Sequence, residues 1–146
     1  MEPKDTQDHE PPRQQPISIR AVIDVVGALA TGSLSGNLYL LDTNRANGST
    51  GIGTESLRTR VRKGDQVLWT ALPLECEAFA SIEDIVVDKE FCMVESRTYP
   101  GTDVSYWIGT VKRDTEIATY YIKFKLGTRM EAMTTASPAF LVGAAT

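Results

Sequence analysis

The chain has 146 residues, 42% hydrophobic and 23% charged, with a formal net charge of -4 and a pI of about 5.0. That length fits one domain of ordinary globular composition, and the acidic balance lacks the basic excess with which a dedicated nucleic-acid binder replaces counterions. A single histidine, His9, leaves no set of side chains for Ser-His-Asp or Cys-His catalysis, a His-based zinc site or blue copper.

In residues 1–16 Met1 is the only hydrophobic residue, and Pro3, Pro11, Pro12 and Pro16 are four of the seven prolines. Such a segment buries too little apolar surface to offset its ordering entropy. It predicts a flexible tail, with a short partner-binding peptide as the alternative. No apolar core of a signal peptide follows the start, and no run approaches the roughly 20 apolar residues of a membrane span. A cytoplasmic protein is the expectation, with leaderless export equally compatible.

The texture changes at Ile17. Ile17, Ile19, Ala21, Ile23 and Val25 alternate with Ser18, Arg20, Val22, Asp24 and Val26, a period-2 strand with one apolar face. Asn37 to Thr43 reads as a second strand, and the Gly- and Asn-rich run Asn44 to Gly53 as a turn or long connection. Leu57, Thr59 and Val61 alternate with Arg58, Arg60 and Arg62, a third strand with a basic outer face. Lys63-Gly64-Asp65 is a tight turn that sends Gln66 to Thr70 back as the return strand.

Phe79 to Asp88 is strand-like through Ile85, Val86 and Val87, although its first part could be a helical turn. Phe91 to Arg97 is a weaker strand, ended by Tyr99-Pro100-Gly101. Val104 to Lys112 and Ile117 to Leu126 form the clearest pair, with Arg113-Asp114-Thr115-Glu116 as a hairpin connection. In the second of these, Ala118, Tyr120, Ile122, Phe124 and Leu126 share one face. Ala139 to Gly143 closes the chain after Pro138. About eight or nine short strands and no sustained helical period predict an all-β fold, an antiparallel β-sandwich of immunoglobulin-like or jelly-roll-like type over residues 17–146.

The order of these pieces resembles the PixA/AidA-type bacterial inclusion-body protein family. The residues that carry the likeness are an opening Ile23 to Val26, the Asn37 to Asn44 segment, and Val61 to Trp69 (VRKGDQVLW). They continue with Tyr120 to Gly127 (YYIKFKLG) and Ala136 to Gly143 (ASPAFLVG). The resemblance spans roughly Ile17 to Gly143. It implies a compact β-sandwich of small size, no cofactor and an undefined molecular role, its members being associated with cytoplasmic protein inclusions or with quorum-dependent expression in host-associated bacteria, and it offers no catalytic residues to transfer.

Candidate sites are correspondingly sparse. The Gly48 to Gly53 run lacks both the Gly-Lys-Ser/Thr ending of a P-loop and a βαβ context, so its glycines serve backbone freedom first. Asn44, Arg45 and Asn47 still offer donors and acceptors on a loop at a sandwich end, where such folds bind ligands. Arg58, Arg60 and Arg62 line up about 6.6–7 Å apart on one strand. They read as a charged edge that resists pairing, or as a seat for an anionic ligand or an acidic surface of a neighbouring subunit. In Tyr106-Trp107 and Tyr120-Tyr121 one ring of each pair points outward, Tyr121 among Thr119, Lys123 and Lys125. Exposed rings of this kind stack sugars or fill subunit interfaces, which makes Trp107 and Tyr121 candidates for a carbohydrate site. The carboxylates Glu75/Glu77, Glu83/Asp84 and Glu90/Glu95 fall at turns and strand ends and define no acid pair. Cys76 and Cys92 flank a strand, too far apart for the roughly 7 Å Cα separation of a disulfide, and are expected to be free thiols. A homo-oligomer is the expected assembly.

Overall fold

The computed structural model describes residues 16–102, 104–113 and 116–143, the side chain of Asn47 excepted. Apart from Pro16, the expected tail lies outside the described residues. Among these residues, ten strands and one short α-helix follow in order. The first part holds β1 (Ile17–Ile23), α1 (Val25–Thr31), β2 (Leu38–Asp42), β3 (Arg58–Val61) and β4 (Gln66–Pro73). After it come β5 (Ala80–Val87), β6 (Cys92–Thr98), β7 (Ser105–Val111), β8 (Ile117–Leu126), β9 (Met133–Thr134) and β10 (Ala139–Gly143). They form two sheets, one ordered β2-β1-β4-β7-β6 and the other β3-β10-β8-β5, with the short β9 continuing the β10 side of β8.

The all-β sandwich expected from the alternation is what the chain forms. The inward residues of β1 (Ile17, Ile19, Ala21, Ile23) and β8 (Ala118, Tyr120, Ile122, Phe124, Leu126) are all buried. They meet Trp69, Phe91 and Leu141 in one core between the sheets. β1 and β8 therefore spend alternate residues on the core, the period of a half-buried strand.

Four local readings change. The first strand ends at Ile23, not Val26, because the next residues start a helix. Asp24 accepts the Gly27 N–H at 2.9 Å as its N-cap, and Glu75 takes the Val25 and Val26 N–H groups at 3.0 and 3.2 Å. Gly32, at φ +74°, ends the helix in the left-handed conformation. A hydrogen bond shared with the Glu75 carboxyl, then the Gly27 N–H, holds the Asp24 carboxyl below its ordinary value.

Pairing is also mixed rather than wholly antiparallel. β1 runs parallel to β4, and β10 runs parallel to β3. Chain neighbours tend to lie in opposite sheets, so a strand's lateral partner arrives from far along the sequence.

The Arg113–Glu116 connection is the third change, for it is no hairpin. β7 pairs with β4 and β6, whereas β8 pairs with β5 and β10, and the connection crosses between sheets. Arg113 anchors the crossing through ion pairs to Glu90 at 2.6 Å and Glu116 at 3.1 Å. The Lys63–Asp65 turn likewise crosses, from β3 in one sheet to β4 in the other. There Asp65 accepts the Arg62 N–H at 2.9 Å, and Gly64 takes a positive φ of +94°.

Lastly, β6 does not return beside β5 but joins the opposite sheet, carrying Cys92 with it. Both thiols are free, Cys76 exposed and Cys92 buried, as the sequence predicts. Burial pushes the Cys92 thiol up to about 12, so it stays protonated and inert at neutral pH. Alkylation of the native protein without reductant is expected to label Cys76 alone. Cys92 is expected to react only after unfolding, and labelling of both in the native state, read by mass spectrometry, would contradict the buried position. The same shift sets an alkaline limit. An unfolded thiol ionises near its ordinary 9.0 while the native one holds its proton, so this thiol's contribution to stability is full below about pH 9 and is lost as pH rises toward about 12.

Candidate functional site

The Gly-rich loop after β2 proves to be a wall. Thr50 and Arg58 exchange main-chain hydrogen bonds at 2.9 and 2.8 Å, so the loop adds itself to the outer edge of β3. The Ser49 hydroxyl accepts the Arg60 N–H at 3.1 Å, and the Asn44 side-chain amide donates to the Arg60 carbonyl. Further along, Gly53 donates to the Leu40 carbonyl at 2.7 Å and Leu40 donates to that of Thr54 at 3.3 Å, which covers the edge of β2 in the other sheet. One loop thus seals both sheet edges on one side of the sandwich. The Thr59 hydroxyl adds a tie between sheets by donating to Asp42 at 2.7 Å.

This geometry places the loop candidates. Asn44 is only 2% exposed, its amide committed to β3. Arg45 is exposed at the start of a single 3-10 turn that Asn47 ends. Arg58 stacks over the Phe140 ring, 4.8 Å from its centroid, and Arg60 is exposed beside Gly48. Arg62 is half-buried at the crossing turn. The arginines share one strand, and the loop lies across it.

Trp107 and Tyr121 are not brought together, since they belong to different sheets. Trp107 packs against the core and donates its indole N–H to the Ile82 carbonyl of β5 at 3.1 Å, a bond between sheets. Tyr121, half-buried, lines a cavity of about 340 Å³ together with Val86, Asp88, Phe91, Glu116 and Thr119. The cavity exists because β8 outruns β5. Their pairing ends at Val87 opposite Tyr120, while β8 starts three residues earlier at Ile117. Its wall combines two aromatic rings, aliphatic carbon and two carboxylates. A second hollow, of about 450 Å³, opens between the sheets beside Phe79 and Val104, both more than half exposed. Among the described residues no three of His, Cys, Asp and Glu are grouped to hold a metal, and no helix is long and apolar enough to cross a membrane.

The sandwich's other side differs from the sealed one. β5 is irregular, with a bulge between Ile82 and Asp84, and it carries Glu83 and Asp84 there. Bulges and charge are both devices against edge pairing. β6, by contrast, pairs with β7 in unbroken register from Cys92 to Thr98, and its stretch from Glu95 to Thr98 is exposed. The sequence marks it only as a weak strand. Its signal, Glu95 and Arg97 of opposite sign around Ser96, acquires meaning once β6 is known to be an edge.

A family model described as Domain of unknown function (DUF8788) matches residues 15–131. Among solved structures, the crystal structure of the inclusion body protein PixA from Burkholderia cenocepacia J2315 is similar, with a TM-score of 0.70 and 19% sequence identity. The match covers 96% of this chain and 100% of that one. At that identity the likeness is one of fold, and in the fold it meets the resemblance drawn from the sequence. No curated protein sequence matches the chain.

Proposed function

The chain belongs to the DUF8788 family, and we propose that it is a non-catalytic β-sandwich of inclusion-body type that acts by associating with copies of itself in the cytoplasm. The observation that carries this reading is the unequal treatment of its two sides. The 44–54 loop satisfies the main-chain groups of β2 and β3, whereas β6 presents a regular, exposed edge. An uncovered edge strand is a template for another chain. Likeness of fold to a protein described as an inclusion body protein supports the same reading. So does a composition with one histidine.

Size-exclusion chromatography with light scattering on the full chain, across a concentration series, tests it. A mass of twice the chain or more at high concentration is expected, and a strict monomer throughout would overturn it.

A second reading, a carbohydrate-binding module, is favoured by the Tyr121 cavity, where a ring lies beside Asp88, Glu116 and Thr119. Aromatic faces stack on sugar rings and carboxylates accept their hydroxyls. Glycan-array binding lost in Tyr121→Ala would support it, and an array without hits would remove it.

A further inference from the structure

We propose that two copies of the chain join through β6, antiparallel, about a two-fold axis at Ser96. This rests on the self-association reading and specifies its interface.

The argument begins with which main-chain groups face outward. At one end of β6 the Phe91 carbonyl accepts the Lys112 N–H at 2.7 Å, and at the other the Tyr99 N–H donates to Val104 at 2.9 Å. Both pairs continue the printed register of Cys92 with Val111 and Thr98 with Ser105. Antiparallel ladders alternate between bonded and non-bonded pairs. Residues 93, 95 and 97 therefore bond to β7, and Val94, Ser96 and Thr98 turn their N–H and C=O groups away from the sheet. Ser96 and Thr98 are exposed, and Val94 half-buried.

The outward residues restrict the registers open to a second copy. Bonded pairs must join even-numbered residues with even-numbered ones. A two-fold axis at Ser96 sets Val94 opposite Thr98, Ser96 opposite Ser96 and Thr98 opposite Val94, which uses every outward group and forms about six main-chain hydrogen bonds. Charge then selects among the neighbours. An axis at Glu95 would set Glu95 against itself, and one at Arg97 would set Arg97 against itself. Like charges directly opposite are destabilising. The Ser96 axis sets Glu95 against Arg97 twice, in the non-bonded positions where side chains lie closest. Within one chain these two already attract, through Arg97 Nε donating to Glu95 at 2.6 Å. That pair is more than half exposed on both sides, so the exchange for a cross-strand partner disturbs nothing in the core. Met93 and Tyr99, both exposed, meet at the ends of the same ladder.

The other edges do not compete. The loop covers β2 and β3, and the bulge at Ile82/Asp84 breaks the regularity of β5. The pairing at β6 would extend the five-stranded sheet into one of ten strands across the axis, closed by symmetry.

Charge reversal tests the register. Glu95→Arg alone, or Arg97→Glu alone, puts like charges in both cross-strand positions and is expected to weaken dimerisation about tenfold or more in sedimentation velocity. An equimolar mixture of the two variants recreates opposite pairs, so it should form mixed dimers, and the double variant Glu95→Arg/Arg97→Glu should dimerise alone. If the unaltered chain associates but the single variants match it, or the mixture fails to recover, the β6 interface is overturned while self-association stands. A chain that stays monomeric at every concentration overturns both.

Discussion

Replacing Trp69 with alanine is expected to lower the unfolding free energy by about 3–5 kcal/mol, the range for deleting a fully buried aromatic side chain. Trp69 lies on β4, the central strand of its sheet, with no exposed surface. Its ring meets Tyr120 of the facing sheet edge-on, with centroids 5.5 Å apart and planes at 74°. The pair thus bridges both layers at the middle of the core, and an alanine leaves a hole that rigid strands on either side cannot close. Trp69→Phe provides the contrast. The indole N–H finds no hydrogen-bond partner among the described groups, so phenylalanine gives up volume but no bond and should cost about 1–2 kcal/mol. Urea unfolding followed by circular dichroism measures both. A cost under about 1.5 kcal/mol for the alanine would mean that the core does not close on this ring.

Tyr120 has the same character. Its hydroxyl is fully buried without a partner among the described residues. Burial pushes it well above the ordinary phenol range, while the neighbouring Trp69 N–H pulls the other way. Two polar tips, Trp69 Nε1 and the Tyr120 hydroxyl, are therefore buried in the core. Their value to the fold lies in the area and shape of the rings.

The inner face of each strand was legible in the sequence because burial follows a period of two, and the alternation of Ile17 to Ile23 and of Ala118 to Leu126 states it directly. What lies beside each strand was not. Lateral pairing depends on partners brought from far along the chain, so Val104 to Lys112 and Ile117 to Leu126 read as a hairpin although each belongs to a different sheet. The helix after Ile23 was hidden for a related reason. Val25 and Val26 favour strands, and the Glu75 carboxylate that satisfies their N–H groups is 50 and 49 residues away. The glycines of the 44–53 loop announced a connection, yet its work as an edge seal needs Asn44, Ser49 and Thr50 to find β3 in space. Edges decide what the outside of a sandwich can do. A pattern that records only inward and outward faces is silent about them, so Glu95 reads as one more carboxylate at a turn or strand end, and Ser96 and Arg97 carry no signal of their own.

Gly109→Ala should destabilise the chain by about 1–3 kcal/mol, the usual cost of one methyl forced into a packed core. Gly109 is buried on β7 between Val67 and Val94 of the flanking strands. Its φ is not positive, so the need for glycine here is one of space. A methyl group would lie 2.7 Å from Cys92 Sγ, 3.0 Å from Trp69 Cζ3 and 3.1 Å from Val94 Cγ1. The closest of these atoms is also the removable one. Cys92→Ala alone leaves a small void and lowers stability, but beside Gly109→Ala it vacates the space that the new methyl needs. The double variant is therefore expected to be less destabilised than the two single costs combined, with a coupling of about 0.5–2 kcal/mol in a double-mutant cycle. Strict additivity in urea unfolding would show that the strain falls on the Trp69 ring instead. In that case Gly109 would serve to seat the indole against β7, and Gly109→Ala combined with Trp69→Phe would be the pair that couples.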